Sequence, residues 1–118
     1  MRVVYADDDQ AVRSTVSELL QWAGIEVHPC ANGSEAIALC DVRQPDVALL
    51  DLNMPGLDGF DTARQLRRNT AHDRMRIVAL TGRGTWDVRE KAIDAGFDEF
   101  LTKPVTLDVL LRALNQND

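Results

Sequence analysis

Five short apolar runs, each followed by a segment of helical period, restrict this chain to a narrow set of folds. The runs are Val3 to Ala6, Ile25 to Cys30, Val47 to Leu50, Ile77 to Leu80 and Phe97 to Leu101. After the first, Val12, Val16, Leu19, Leu20 and Ala23 recur at i, i+4, i+7, i+8 and i+11, the spacing of one helix face, and Gly24 ends the pattern. The second helical segment covers roughly Ser34 to Val42, with Asn32 and Glu35 at the spacing of a capping pair. Asp58 is a natural N-cap for the third, which carries Phe60, Ala63 and Leu66 on one side. The fourth runs from near Thr85 to Ala95 and stops at Gly96. The fifth starts at Thr106, with Leu107, Leu110, Leu111 and Leu114 as its stripe. Strands alternating with amphipathic helices call for a parallel sheet covered on both faces, and right-handed crossovers leave few ways to wind it.

The runs at Val3, Val47 and Ile77 are apolar enough for central strands. The run at Ile25 is the most polar, and Pro29 lacks the N–H that a ladder needs, which predicts an edge strand. A doubly wound α/β fold satisfies both demands, with a five-stranded parallel sheet of order 2-1-3-4-5 flanked by five helices. The length of 118 residues suits one domain, 1–118, with no output domain in this chain. No apolar run approaches a membrane span, so no membrane insertion is expected. The opening MRVVYADDD turns acidic too soon for a signal peptide, and a cytoplasmic location is the expectation. Cys30 and Cys40 lack metal-ligand spacing and are expected as reduced, buried thiols. Thirteen basic residues against nineteen acidic ones give a net charge of −6, which argues against direct nucleic-acid binding. Arg64, Arg67 and Arg68 suggest a solvated helix face, and His28 and His72 are expected at the surface.

Chemistry concentrates where the strands end. In an open sheet of this order, ligands bind beyond the carboxyl ends of the strands, where the winding reverses. There the first strand ends in Asp7-Asp8-Asp9, the third in Asp51, the fourth in Thr81 and the fifth in Lys103. Two carboxylates about 4 Å apart repel by roughly 4 kcal/mol at an effective dielectric of about 20, so such a site needs cations. Lys103 supplies one. Oxygen ligands without His or Cys favour Mg²⁺ as the second, and Asn53 is placed to add a backbone carbonyl.

Each feature alone has an ordinary explanation. Asp9 is a helix cap, a Thr at a strand end is a turn former, a Lys before Pro is surface charge, and NMPG is a turn. All of them at one rim of one sheet point to a common purpose.

These residues carry a resemblance to a known family, the receiver domain of two-component response regulators, whose fold is CheY-like and flavodoxin-like. The match runs from Arg2 to about Leu114. It rests on Asp7 and Asp8 ending strand one, Asp51 within LLDLNMPGLDG, ALTG ending strand four and FLTKP ending strand five. The wording ALTGRG and AGFDEFLTKPV is closest to receivers attached to hybrid sensor kinases. The resemblance implies a signalling phosphoacceptor rather than an enzyme. Asp51 would take a phosphoryl group from a sensor histidine kinase, a histidine phosphotransfer protein or a small phosphodonor. Asp8, Asp51 and the Asn53 carbonyl would bind Mg²⁺, with Asp7 contributing through water. Lys103 would pair with Asp51 and then with the phosphoryl group, Thr81 would give its hydroxyl to a phosphoryl oxygen, and Phe100 would turn inward as the switch when Thr81 moves. The surface of helix four, strand five and helix five, with Trp86 and Val88 exposed near it, would then signal to a downstream protein target. A cis bond between Lys103 and Pro104 is also implied.

Three rivals share parts of the pattern. A flavin or dinucleotide binder needs a glycine-rich or hydroxyl-rich first turn, whereas ADDDQA repels phosphate. A Mg²⁺-dependent phosphohydrolase could use the Asp7/Asp9 pair, but the chain is short for a substrate cap. The alternative within the family is a receiver-like interaction module that acts without phosphorylation.

Asn53 and Arg83 occupy the positions that, by the resemblance, tune how long the phosphate survives. An Arg beside the acyl phosphate shields it from water, so Arg83→Ala is expected to speed dephosphorylation. Decay of the labelled protein checks this, and an unchanged rate refutes it.

Overall fold

The computed structural model describes residues 1–115. Its elements alternate as β1 (Arg2–Ala6), α1 (Gln10–Trp22), β2 (Glu26–Cys30), α2 (Gly33–Arg43), β3 (Val47–Asp51), α3 (Gly59–Arg68), β4 (Arg76–Thr81), α4 (Trp86–Ala95), β5 (Glu99–Thr102) and α5 (Leu107–Leu114). A 3-10 turn at Thr70–His72 links α3 to β4. All pairings are parallel and the order is 2-1-3-4-5, with the Pro29 strand at one edge. The period-two alternation of the strands divides the core. Val3, Tyr5, Leu49, Val78 and Leu80 pack with Val16 and Leu20 of α1 and Leu110 of α5. On the other face Val4, Ala6, Leu50 and Ile77 pack with residues of α2, α3 and α4. β3 lies between β1 and β4 and is buried along its whole length.

Four of the five helix starts are fixed by the caps expected of them. Asp9 Oδ1 accepts the N–H groups of Ala11 and Val12 at 3.0 and 3.2 Å. Asn32 Oδ1 accepts the Glu35 N–H at 2.9 Å, while Glu35 Oε1 reaches back to the Ala31 N–H at 3.1 Å. Asp58 caps α3 through the Asp61 N–H, and Thr106 caps α5 through Val109. Both cysteines are free and buried, and burial pushes their thiols up to about 11 and 12.

Four expectations need correction. The fifth strand starts at Glu99 rather than Phe97, because the Phe97 N–H still closes the end of α4 on the Ala92 carbonyl. Leu19 and Ala23 fit the helical period of α1 but remain exposed, so the buried stripe narrows to Val16, Ser17 and Leu20. His72 is only 3% exposed, held by its ring Nε2 2.9 Å from Asp41 Oδ1 on α2. His28 is half-buried on the edge strand. Arg67 is not a solvated face either. Its guanidinium donates to the carbonyls of Gly96 and Met75 at 2.9 and 2.7 Å and pairs with Asp98, tying α3 to the turns around α4 and β4. Those acceptors are brought in by distant turns, which local charge patterning does not register.

Two glycines shape the turn after β3. Gly56 has a φ of +74°, in the left-handed region that favours glycine. At Gly59 the N-terminus of α3 runs against the end of β3, where an added Cβ would sit 2.5 Å from the Asp51 carbonyl oxygen and 2.8 Å from the Leu52 Cα. Backbone cannot yield cheaply to such a contact. Gly59→Ala is expected to cost on the order of 2 kcal/mol of stability, read as a lowered urea midpoint.

Candidate functional site

The register of β1 against β3 builds the acidic corner. Ala6 pairs with Leu50, so Asp7 and Asp51 are the next residues outward on two adjacent strands. Asp8 follows at the rim. Each of Asp7, Asp8 and Asp51 offers a carboxylate oxygen, and these oxygens lie within 4.8 Å of one another. Asp7 is fully buried and Asp51 is 5% exposed, while Asp8 faces solvent. Lys103 reaches in from the loop after β5. Its Nζ lies 3.1 Å from Asp7 Oδ2 and 3.5 Å from Asp51 Oδ2. The ammonium thus sits closer to Asp7 than to the Asp51 partner expected for it.

Other groups complete the corner. The Asn53 N–H donates to Asp51 Oδ1 at 3.2 Å, which orients that carboxylate from the following turn. The Asp9 N–H donates to Asp7 Oδ1 at 3.0 Å. Thr81 is buried at the end of β4, where its Oγ1 accepts the Arg83 N–H at 3.1 Å, so the hydroxyl hydrogen stays available to another acceptor. The Lys103 N–H bonds the Thr81 carbonyl at 2.7 Å, which couples the two loops. The peptide bond between Lys103 and Pro104 is cis. Beside the acids, a cleft of 490 Å³ opens between the β3–α3 turn and α4, lined by Asn53, Met54, Thr81, Arg83, Val88 and Lys91.

Two contacts to Asp7 went unread in the sequence. Tyr5, counted with the apolar run, donates its phenol to Asp7 Oδ2 at 2.8 Å. Arg13 donates to the Asp7 carbonyl at 2.7 Å. A signal for the first was present, since residues two apart on a strand share a face and a Tyr reaches further than an aliphatic side chain.

Burial is the main influence on the Asp51 carboxyl and, with the charge of Asp7, pushes it up to about 6 against the pull of the Asn53 N–H and Lys103. Burial draws the Lys103 ammonium down, but the bond to Asp7 and the charge of Asp51 outweigh it and leave it raised. Burial and the bond to Asp7 hold the Tyr5 phenol well above its ordinary range.

Phe100 is half-buried against the α3–α4 side of the core, with the Arg89 guanidinium 5.9 Å from its ring centroid. Trp86 is 74% exposed at the start of α4, whereas Val88 is half-buried and packs on the core rather than facing solvent.

Together these features define a class, an α/β protein of the CheY-like, flavodoxin-like fold with an acidic, cation-demanding corner at its switch point. The response regulator receiver domain model matches residues 3–115. Response regulator MprA of Mycobacterium sp. (strain KMS) is 39% identical over 111 residues, covering 94% of this chain and 47% of the relative. MprA of Mycobacterium leprae is also 39% identical over 111 residues, covering 94% of this chain and 48% of its own. The chain therefore spans about half the length of these curated relatives. Among solved structures, Vibrio cholerae chemotaxis protein CheY4 superposes with a TM-score of 0.91 at 32% identity, covering 96% of this chain and 94% of that one. The receiver domain of sensor histidine kinase PA1611 from Pseudomonas aeruginosa, with a magnesium ion coordinated in its active-site cleft, gives 0.89 at 27% identity, covering 96% and 93%. The chain belongs to the response regulator receiver domain family, a family of two-component signalling modules. No helix among the described residues is long and apolar enough to cross a membrane.

The raised Asp51 carboxyl sets a sign for stability. The folded state holds that proton more tightly than the ordinary value of 3.8, so ionisation costs stability, with no cost below about pH 4 and the full cost above about pH 6. Without divalent cations, Asp51→Asn is expected to be more stable than wild type at pH 7 by on the order of 2 kcal/mol. Urea unfolding across pH 4 to 8 checks this, and the difference should close as the pH falls through 6 towards 4.

Proposed function

We propose that the chain is a phosphoacceptor that takes a phosphoryl group onto Asp51 from a histidine kinase or a histidine phosphotransfer protein, and that it does so in the cytoplasm. The observation that carries this reading is the corner itself, where Asp7, Asp8 and Asp51 share one small volume and Lys103 lies within 3.5 Å of Asp51. A buried carboxylate is a poor resident unless something cationic visits it.

The donor set fits Mg²⁺, with oxygen atoms only and no His or Cys in the group. Asp8, Asp51 and the Asn53 backbone carbonyl would hold the ion, with Asp7 acting through a water molecule. When bound, the ion would offset charge on the transferring phosphoryl oxygens. The chain's own residues do the rest. An Asp51 oxygen forms the new bond to phosphorus as the donor's P–N bond breaks. The imidazole nitrogen keeps that electron pair and takes a proton from solvent, and an acyl phosphate is left on Asp51. Lys103 moves from the carboxylates to the phosphoryl group, and the Thr81 hydroxyl donates to a phosphoryl oxygen. The Arg83 N–H rides with Thr81 through its bond to Oγ1, which links the acceptor to the loop that opens α4. Movement of Thr81 would free space for Phe100 and change the α4–β5–α5 surface that a downstream protein reads.

Labelling by acetyl phosphate tests this. Wild type should be labelled only with Mg²⁺ present, and Asp51→Asn should lose the label. Unlabelled wild type that still binds its partner would instead make the chain an interaction module that signals without phosphate.

A further inference from the structure

Lys103 faces a cost that the phosphoacceptor reading does not address. On that reading Lys103 shifts from the carboxylates to the phosphoryl group and so gives up Asp7, which is fully buried. Asp7 Oδ2 accepts from Lys103 at 3.1 Å and from the Tyr5 phenol at 2.8 Å, while Oδ1 accepts the Asp9 N–H at 3.0 Å. A carboxylate has about four acceptor positions, and leaving a buried one short of donors is expensive. Were Lys103 the sole donor to Oδ2, its departure would strand a desolvated charge. The phenol is the one donor on that oxygen that need not move.

We infer that Tyr5 is a positioning residue, whose hydroxyl keeps Asp7 satisfied when Lys103 leaves it and so makes Lys103 available to the phosphoryl group. The inference rests on the phosphoacceptor reading above. Two structural facts support it. Tyr5 is buried, with Val3, Leu49 and Leu80 in its cluster, so its ring is held in place. It lies two residues before Asp7 on the same strand face, so the hydroxyl reaches the carboxylate without leaving the core.

The two ligands of the corner therefore depend on Tyr5 differently. Mg²⁺ binding alone can proceed with Lys103 still on Asp7. A phosphoryl group, or its mimic beryllofluoride, draws Lys103 away. Calorimetry on wild type and Tyr5→Phe separates the two steps, first with Mg²⁺ alone and then with beryllofluoride at saturating Mg²⁺. Tyr5→Phe is expected to keep its Mg²⁺ affinity within about two-fold but to lose about ten-fold in beryllofluoride affinity, the equivalent of one hydrogen bond to a buried charged acceptor. Equal losses for both ligands, or none for beryllofluoride, overturn the inference.

An Asp7→Asn background gives a second measurement. No charge is left behind there, so adding Tyr5→Phe should change beryllofluoride affinity by no more than about two-fold. A ten-fold loss that persists makes the phenol a packing group and overturns the inference. If wild type with Mg²⁺ fails to bind beryllofluoride, the phosphoacceptor reading falls and takes this one with it. Wild-type binding matched by Tyr5→Phe removes this one alone.

Discussion

Two buried carboxylates sharing one ammonium set the terms for the rest of this molecule. Asp7 and Asp51 leave adjacent strands into a volume with little water, and the 3.1 and 3.5 Å contacts of Lys103 only partly offset their repulsion. The Asp51 carboxyl responds by holding its proton unusually tightly. A corner in this condition is receptive to positive charge. The scaffold stabilises an arrangement that is electrostatically incomplete by itself.

That arrangement depends on rigid neighbours. Parallel register fixes Asp7 beside Asp51, and the close approach at Gly59 presses α3 against the base of the same carboxylate. At the other end of the sheet, Arg67 joins α3 to the turns before β4 and β5, so the side of the molecule holding Asp51 is braced at both ends. The β4–α4 segment is held differently. Its N-cap Thr85 makes no side-chain cap bond, and Gly84 packs directly on Thr102. The start of α4 therefore lacks the side-chain cap bond that fixes the other helix starts.

Much of the fold was legible in the chain. Alternating apolar runs and helical periods gave the element order, Pro29 marked the edge, and the caps at Asp9, Asn32, Asp58 and Thr106 sit where spacing put them. The acids at the strand ends were also legible, because sheet order alone brings them together. Misreadings fell where a side chain's environment depends on a distant segment. His72 looked like a surface residue until Asp41 on α2 met it, and Arg67 looked like free charge until the Gly96 and Met75 carbonyls met it.

The sequence by itself determined the layers, the order of the strands and the family to which the chain belongs, because periodicity records which face of each element must leave water. Only the tertiary structure decided which oxygen of Asp7 meets Tyr5, and that Lys103, ninety-six residues further along, sits nearer Asp7 than Asp51. The physical reason is range. Burial patterns are written locally, residue by residue, whereas hydrogen bonds and ion pairs depend on distances of tenths of an ångström between atoms that only the folded chain brings together.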